Sequence, residues 1–259
     1  NGVVTKREYN PQRRWLEKIQ SFAHPDGELG IHAFQHLDLD RDDAGNITKR
    51  TDALRNLREE FAYDRLNRLT ASAVYYRGNL VDGKELKYDS LGNITQNSDV
   101  DDAPLQYGSG IRNVRAQPPR CGPHALRTVA GQLFQYDANG NLLRDDQRQY
   151  TYTATDKPKT ITKNGRVTQF IYDPFDMRAK KIGNGAETMY IGKLYERTVE
   201  AHREVNKFYI YAHGRAVAVM EGHTIDDNWN WAPSTISYLH PDHLGSPEFI
   251  TDEEGHVSE

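Results

Sequence analysis

FAYDRLNRLT, residues 61–70, sets the reading of the whole chain. It returns with changes as LKYDSLGNIT at 86–95, FQYDANGNLL at 134–143 and QFIYDPFDMR at 169–178. Each copy spells a large apolar residue, one spacer, then Tyr-Asp and a turn-prone tetrapeptide. Residues two apart on a strand share a face. Phe61/Tyr63, Leu86/Tyr88, Phe134/Tyr136, Tyr150/Tyr152 and Phe170/Tyr172 therefore each place two large groups on one side. The Asp carboxylate accepts amide hydrogens from the residues that follow it, and a Gly three positions on takes positive φ without a Cβ clash. Asp-x-x-Gly thus fits a type I turn closed by a left-handed Gly, the three-residue hairpin loop.

That second element occurs at 42–45, 89–92, 137–140, 242–245 and 252–255, and Asn follows the Gly in the first three. Aspartates 42, 89 and 137 stand 47 and 48 residues apart, which marks a structural repeat. The strand-end and turn positions so assigned are Tyr63, Asp64, Tyr88, Asp89, Gly92, Asn93, Tyr136, Asp137, Gly140, Asn141, Tyr172, Asp173, Asp242, Gly245, Asp252 and Gly255. Between them the chain stays strand-like. KFYIYAHGRAVAVMEG (207–222) reads as two β-rich runs about His213-Gly214, and SPEFIT (246–251) as a short strand between the last two turns. PQRRWLEKIQSF (11–22) and DALRNLREEF (52–61) have apolar spacing compatible with a helix. Their places after Tyr9-Asn10-Pro11 and before Tyr63-Asp64 assign them to strand and connecting loop. The expected fold class is all-β, an antiparallel ribbon of short hairpins over residues 1–259, with the Pro-, Gly- and Asp-rich stretch 97–123 as the candidate insertion.

Composition narrows the function classes. The 259 residues carry 33 basic and 37 acidic side chains, a net charge of -4 and a mean hydropathy of -0.82. The mixture offers no basic face of the kind that holds a phosphate backbone, so nucleic acid is not an expected partner. The longest clean apolar stretch, Ala216 to Met220, is far below the roughly 20 residues of a helical membrane span. One cysteine, Cys121, forbids a disulfide within the chain, so stability comes from burial and backbone pairing. Asn1-Gly2 at one end and His256-Val257-Ser258-Glu259 at the other read as cuts in something longer, with a processed mature protein as the alternative.

Several residue groups invite a chemical reading. Cys121 and His124 offer a thiol and a base, but Cys-x-x-His spacing fixes no geometry, and a structural role is the better reading. His240, Asp242 and His243 make a denser group with metal-ligating atoms, although Asp242 is also a turn Asp. Asp38, Asp40, Asp42 and Asp43 imitate a calcium loop without its glutamate at the twelfth position. The pairs Asp101-Asp102, Asp145-Asp146 and Glu253-Glu254 read as solvated turn charges. No catalytic residue, cofactor or metal site is expected, and the chain is read as no enzyme. The tyrosine rows admit two orientations: facing inward as a wall, which the Phe/Tyr pairing favours, or outward as a surface that stacks on sugars.

The phrases TDALRNLREEFAYDRLNRLTAS, ELKYDSLGNITQ, CGPHALRTVAGQLFQYDANGNLLRD and ISYLHPDHLGSPEFITDEEGHV agree in order with one family. The chain resembles the C-terminal part of the shell of YD-repeat or Rhs proteins, found in bacterial polymorphic toxins, insecticidal toxin complexes and animal teneurins. The resemblance implies a β-ribbon spiralling into a hollow shell that encloses and shields a toxin polypeptide. It implies as partners the remaining shell segments and that enclosed toxin domain, and secretion or delivery from a bacterial cell. It also implies an autoproteolytic core motif beyond the repeats; residues 1–259 contain neither that motif nor a toxin domain. The alternative it leaves open is a carbohydrate- or receptor-binding YD-repeat module, with glycans or a host receptor as partner.

Overall fold

The computed structural model describes residues 1–23, 32–100, 104–108, 122–201, 203–224, 232 and 234–258. All regular structure among them is β. The first strands are β1 (Val4–Tyr9), β2 (Leu16–Ala23), β3 (His32–Arg41), β4 (Ile47–Asp52), β5 (Leu57–Tyr63), β6 (Leu69–Tyr76), β7 (Asn79–Tyr88) and β8 (Ile94–Asn97). Three short strands follow, β9 (Gln106–Tyr107), β10 (Leu126–Val129) and β11 (Gln132–Leu133). Next come β12 (Gln135–Tyr136), β13 (Leu142–Arg144), β14 (Arg148–Tyr152), β15 (Pro158–Lys163), β16 (Arg166–Tyr172) and β17 (Arg178–Gly183). The last are β18 (Ala186–Ile191), β19 (Tyr195–Glu200), β20 (Arg203–Ala212), β21 (Arg215–His223), β22 (Thr235–Pro241) and β23 (Pro247–Thr251). Neighbouring strands in each sheet are consecutive in sequence. The result is a meander whose strand pairings are all between neighbours in sequence.

Both stretches with helix-compatible spacing are turn and strand. Residues 11–13 turn and lead into β2, and 53–56 turn and lead into β5. Of the stretch 97–123, the described part holds the end of β8, a turn at 98–99 and β9, while 101–103 and 109–121 lie outside the described residues.

The chain divides into two compact units. Unit 1 comprises Asn1–Glu85, Lys207–Gly222 and Pro233–Glu259, and unit 2 comprises Leu86–Asn206 and His223–Ala232. Unit 1 has a two-sided core. On β2 the alternate residues Ile19, Ser21 and Ala23 are buried, and on β3 Gln35, Leu37 and Leu39 are buried. Strand pairing sets Ile19 against Leu37 and Ser21 against Gln35. The late strand β23 returns onto this sheet. Phe249 packs edge-on to Phe34 with ring centres 5.5 Å apart, and Gln35 Nε2 donates to Glu248 Oε2 at 2.7 Å and to the Pro241 carbonyl at 3.2 Å. A buried polar chain thereby crosses the core: Thr5 Oγ1 meets Ser21 Oγ at 2.9 Å, and Ser21 Oγ donates to Gln35 Oε1 at 2.7 Å. Every buried polar group in it has a partner, which removes the cost of burying it.

Unit 2 is different. Its buried residues are mostly polar, Asn93, Asp145, Glu204 and Thr224 beside Val129. Val167, Ile171, Met189, Ile191 and Leu194 are exposed, and Phe175 stands 85% accessible at a turn.

Candidate functional site: a row of latched turns

The repeat residues assemble one device several times over. In unit 1, Asp42 Oδ1 accepts the amides of Ala44 and Asn46 at 3.0 and 2.9 Å, and Gly45 sits at φ 94°. In unit 2, Asp89 Oδ1 accepts Leu91 N at 2.8 Å and Asn93 N at 2.9 Å, with Gly92 at φ 89°. Asp137 does the same for Asn139 and Asn141, with Gly140 at φ 95°. Asp242 holds Leu244 and Ser246, and Asp252 holds Glu254 and His256, with Gly245 and Gly255 at φ 92° and 91°. The carboxylate is thus the organiser of its own loop.

Asp64 and Asp173 build the same loop without Gly. Asp64 accepts Leu66 and Arg68 amides, and Asn67 carries the positive φ, 60°. Asp173 accepts Phe175 and Met177 amides, and Asp176 is at φ 58°. The same left-handed position is filled by residues whose short polar side chains tolerate it best after Gly.

Hydrogen bonds to these acceptors set their ionisation. The side-chain amide of Asn46 holds the Asp42 carboxyl below the usual carboxylate range, Asn93 does this for Asp89, and the Arg68 guanidinium does it for Asp64. Second oxygens are engaged too, with Asn46 Nδ2 on Asp42 Oδ2 and Asn93 Nδ2 on Asp89 Oδ2, both at 2.8 Å.

The tyrosines do something that periodicity does not reveal. Tyr63 Oη donates to the Ile47 carbonyl at 2.9 Å, and Ile47 is the residue leaving the Asp42 turn. Tyr172 Oη donates to Pro158 O at 2.9 Å, Tyr136 Oη to Leu126 O at 2.8 Å, Tyr152 Oη to Leu142 O at 2.8 Å and Tyr107 Oη to Ile94 O at 2.9 Å. In the Tyr63, Tyr107, Tyr152 and Tyr172 copies, the tyrosine latches the exit of the preceding turn. Burial, reinforced by the Asp42 charge, raises the Tyr63 hydroxyl pKa, and burial raises those of Tyr107, Tyr152 and Tyr172. Tyr88 closes β7 opposite Ile94.

Adjacent turns are also tied side chain to side chain. Asn46 Nδ2 donates to Asn67 Oδ1 at 2.9 Å, joining the turns at 42–46 and 64–68. Asn139 and Asn141 both donate to Asp156 Oδ1, at 2.9 and 2.7 Å, and Thr155 Oγ1 donates to Asp176 Oδ1 at 2.8 Å. Three turns of unit 2, at 137–141, 153–157 and 173–177, therefore form one continuous polar edge.

The middle turn of that run is one that the Tyr-Asp spelling misses. Thr153 replaces the Asp, accepting Thr155 N at 3.3 Å and Lys157 N at 3.1 Å through Oγ1, and Asp156 stands at φ 60°. Tyr152-Thr153 with a polar residue three positions on was the available signal. Two-residue hairpins at Asn164-Gly165 and Asn184-Gly185, with both residues at positive φ, supply the other turns of this ribbon.

The other sequence candidates do not converge. Asp38 meets Lys18 and His36, Asp40 pairs with Lys49, and Asp43 pairs with Arg13. His240 Nε2 meets Thr251 Oγ1 at 2.8 Å, whereas His243 Nδ1 stands 4.0 Å from Asp242 Oδ2. Burial lowers the pKa of both imidazoles. His124 Nδ1 is bonded to Asn93 Oδ1 at 2.7 Å, tying Pro123-His124 to the Asp89 turn; Cys121 lies outside the described residues. Among the described residues, the acidic and imidazole groups that come within 4.8 Å of one another as a trio are Asp252, Glu254 and His256, on the last turn. No described helix is long and apolar enough to cross a membrane.

Antiparallel hairpins with Tyr-Asp at the strand ends build an all-β ribbon, and solved structures of Tc toxin components share this fold. A TcdB2-TccC3-TEV crystal structure matches 99% of this chain and 14% of its own at TM-score 0.68 and 16% identity. The Photorhabdus luminescens Tc holotoxin pore, carrying a TccC3 mutation, matches with TM-score 0.69 over the same shares, also at 16% identity. Among curated proteins, the double-stranded DNA deaminase toxin A of Burkholderia cenocepacia is 29% identical over 253 positions, covering 84% of this chain and 16% of the toxin. The tRNA3(Ser)-specific nuclease WapA of Bacillus spizizenii is 29% identical over 158 positions, covering 58% of this chain and 6% of WapA. This chain therefore spans a small part of the length of the curated relatives it matches. No family model matches it.

Proposed function

We propose that this chain is a wall segment of a β-shell that encloses and shields a toxin polypeptide before delivery from a bacterial cell. The observation that carries the reading is the row of turns in unit 2, each bonded to the next through Asn139, Asn141, Asp156, Thr155 and Asp176. Such ties stiffen a ribbon along its edge without a second layer behind it, which suits a wall. The toxins among the curated relatives support the same context: a deaminase toxin and a tRNA nuclease, each matched by this chain over a small part of its length.

In this reading the partners are neighbouring shell segments and the enclosed polypeptide. Chemistry on a target belongs to that cargo, and the chain itself contributes no catalytic group, metal or cofactor. A sugar-stacking role for the repeat tyrosines is less well supported, because five of their hydroxyls are donated to backbone carbonyls.

The experiment is limited proteolysis of the toxin-bearing polypeptide that contains this chain. The toxin portion should resist trypsin while the shell is intact. It should become cleavable when Tyr63, Tyr152 and Tyr172 are changed together to Phe and Gly92 and Gly140 to Val. A toxin portion cut equally fast in both forms overturns the proposal.

A further inference from the structure

We propose that unit 2 carries a binding cleft for a compact oligophosphate, built on a row of three cations across β14, β15 and β16. Strand pairing sets Arg148 opposite Lys163, and Lys163 opposite Arg166. Directly paired residues share a face, so three positive side chains stand in line over roughly 10 Å, two strand spacings. Like charges placed directly opposite one another destabilise a sheet. Here the Lys163–Arg166 pair has no counter-charge among the described residues, while the charge of Arg148 is met by Asp145; an anionic ligand would remove the cost of the first pair.

The surrounding geometry completes a site. Arg148, Lys163 and Arg166 line a cleft of about 660 Å³ together with Asn164, Thr168 and Asn184, and Ile161 adds an apolar surface. No carboxylate is among the lining residues. A volume of this size suits a small ligand. Next to the lining residue Thr168, Gly183 leaves no room for a side chain, since a Cβ there would come within 2.9 Å of Thr168 Oγ1 and 3.2 Å of Thr168 Cα.

Arg148 is the oriented member. Its Nε and Nη2 both donate to Asp145 Oδ2 at 2.9 Å, and Asp145 is buried. That leaves Nη1 for a ligand, since guanidinium presents its donors in a fixed fork. Lys163 and Arg166 make no ion pair among the described residues. The cleft of unit 1 differs. It is lined by Arg13, Lys18 and Arg41 among six carboxylates, and Arg13 and Lys18 are paired there with Asp43 and Asp38.

A donor-rich lining without acceptor carboxylates selects a ligand rich in acceptor oxygens. The lining holds no aromatic ring on which a base would stack, which favours a phosphate chain over a nucleic acid. The inference stands apart from the shell reading, since it concerns one sheet face and needs no enclosed cargo.

The test is calorimetric titration of the full 259-residue chain with sodium tripolyphosphate, with ATP and a single-stranded DNA as comparison ligands. Saturable one-to-one binding of tripolyphosphate is expected. Lys163→Gln combined with Arg166→Gln should weaken it at least about tenfold. Lys180→Gln, on the opposite face and paired with Glu187, should leave it within about twofold. Equal affinity for ATP assigns the phosphate chain as the recognised group, and tighter ATP binding assigns a nucleotide. Because the double variant removes like-charge repulsion, its melting temperature without ligand should equal or exceed the parent's. The proposal is overturned by absent tripolyphosphate binding, by binding that the double variant leaves intact, by binding of DNA alone, or by a double variant that is less stable than its parent.

Discussion

Units 1 and 2 use the same hairpin and hold it by different means. In unit 1, β2 and β3 bury Ile19, Leu37 and Leu39, and β23 adds Phe249. In unit 2 the buried side chains are chiefly Asn93, Asp145, Glu204 and Thr224, and aliphatic residues on its strands stay accessible. The difference teaches that the repeat supplies ladders and turns sufficient for a ribbon, whereas a core requires a second layer that the repeat does not encode. Dispersion and transfer free energy dominate unit 1, and satisfied polar groups dominate the turns of unit 2.

The sharpest way to break this comparison is a pair of truncations. Leu37→Ala, at a position only 1% accessible, should cost about 2–5 kcal/mol in urea unfolding. Ile171→Ala, at 40% accessibility in unit 2, should cost less than about 1 kcal/mol. Equal losses would show that unit 2 is packed as unit 1 is. Glycine substitutions come next. At Gly255 a Cβ would stand 2.7 Å from the Asn1 carbonyl, on a backbone already at φ 91°. Gly140 has the same φ range with nothing within 4 Å. Gly255→Ala should lose about 1–3 kcal/mol beyond the about 1–2 kcal/mol of backbone strain expected for Gly140→Ala. Thermal melts of the two variants that coincide would remove the clash from the account.

Latches predict smaller effects. Tyr152→Phe, which deletes the bond to Leu142 O, should cost about 0.5–1.5 kcal/mol, and no loss would make the tyrosine a packing residue alone. The turn carboxyls give a pH signature of definite sign. Asp42, Asp64 and Asp89 have folded pKa values below their ordinary one. Their stabilisation is fully present above about pH 4 and is lost as pH falls through the lowered values. Tyr63, Tyr152 and Tyr172 are shifted the other way, so their contribution is complete below about pH 10 and declines as pH rises beyond it. Melting temperatures across pH should show both shoulders, and Asp89→Asn should shrink the acid one; an acid limb unaltered in that variant would take Asp89 out of it.

Much of the fold was legible because it is local. Tyr-Asp and Asp-x-x-Gly carry both the strand parity and the loop geometry within five residues, so the all-β ribbon followed from text such as FQYDANGNLL. Asn-Gly at 164–165 and 184–185 carried an equally local hairpin signal. The Thr153 turn was obscured because a hydroxyl replaced the carboxylate. The tyrosine latch was not legible, since a hydroxyl reaching a carbonyl 10 to 16 residues away depends on strand register. The packing of Phe249 against Phe34, and the Gln35 bonds to Glu248 and Pro241, join residues more than 200 apart, which no periodicity encodes.

The most direct test of the wall reading is electron cryomicroscopy of the toxin-bearing polypeptide that contains this chain. The account predicts residues 1–259 as latched hairpins continuous with neighbouring strands, one face of the ribbon turned towards enclosed polypeptide density and the other towards solvent. A chain standing clear of the rest of the molecule, with both faces in solvent and no polypeptide enclosed, would contradict it.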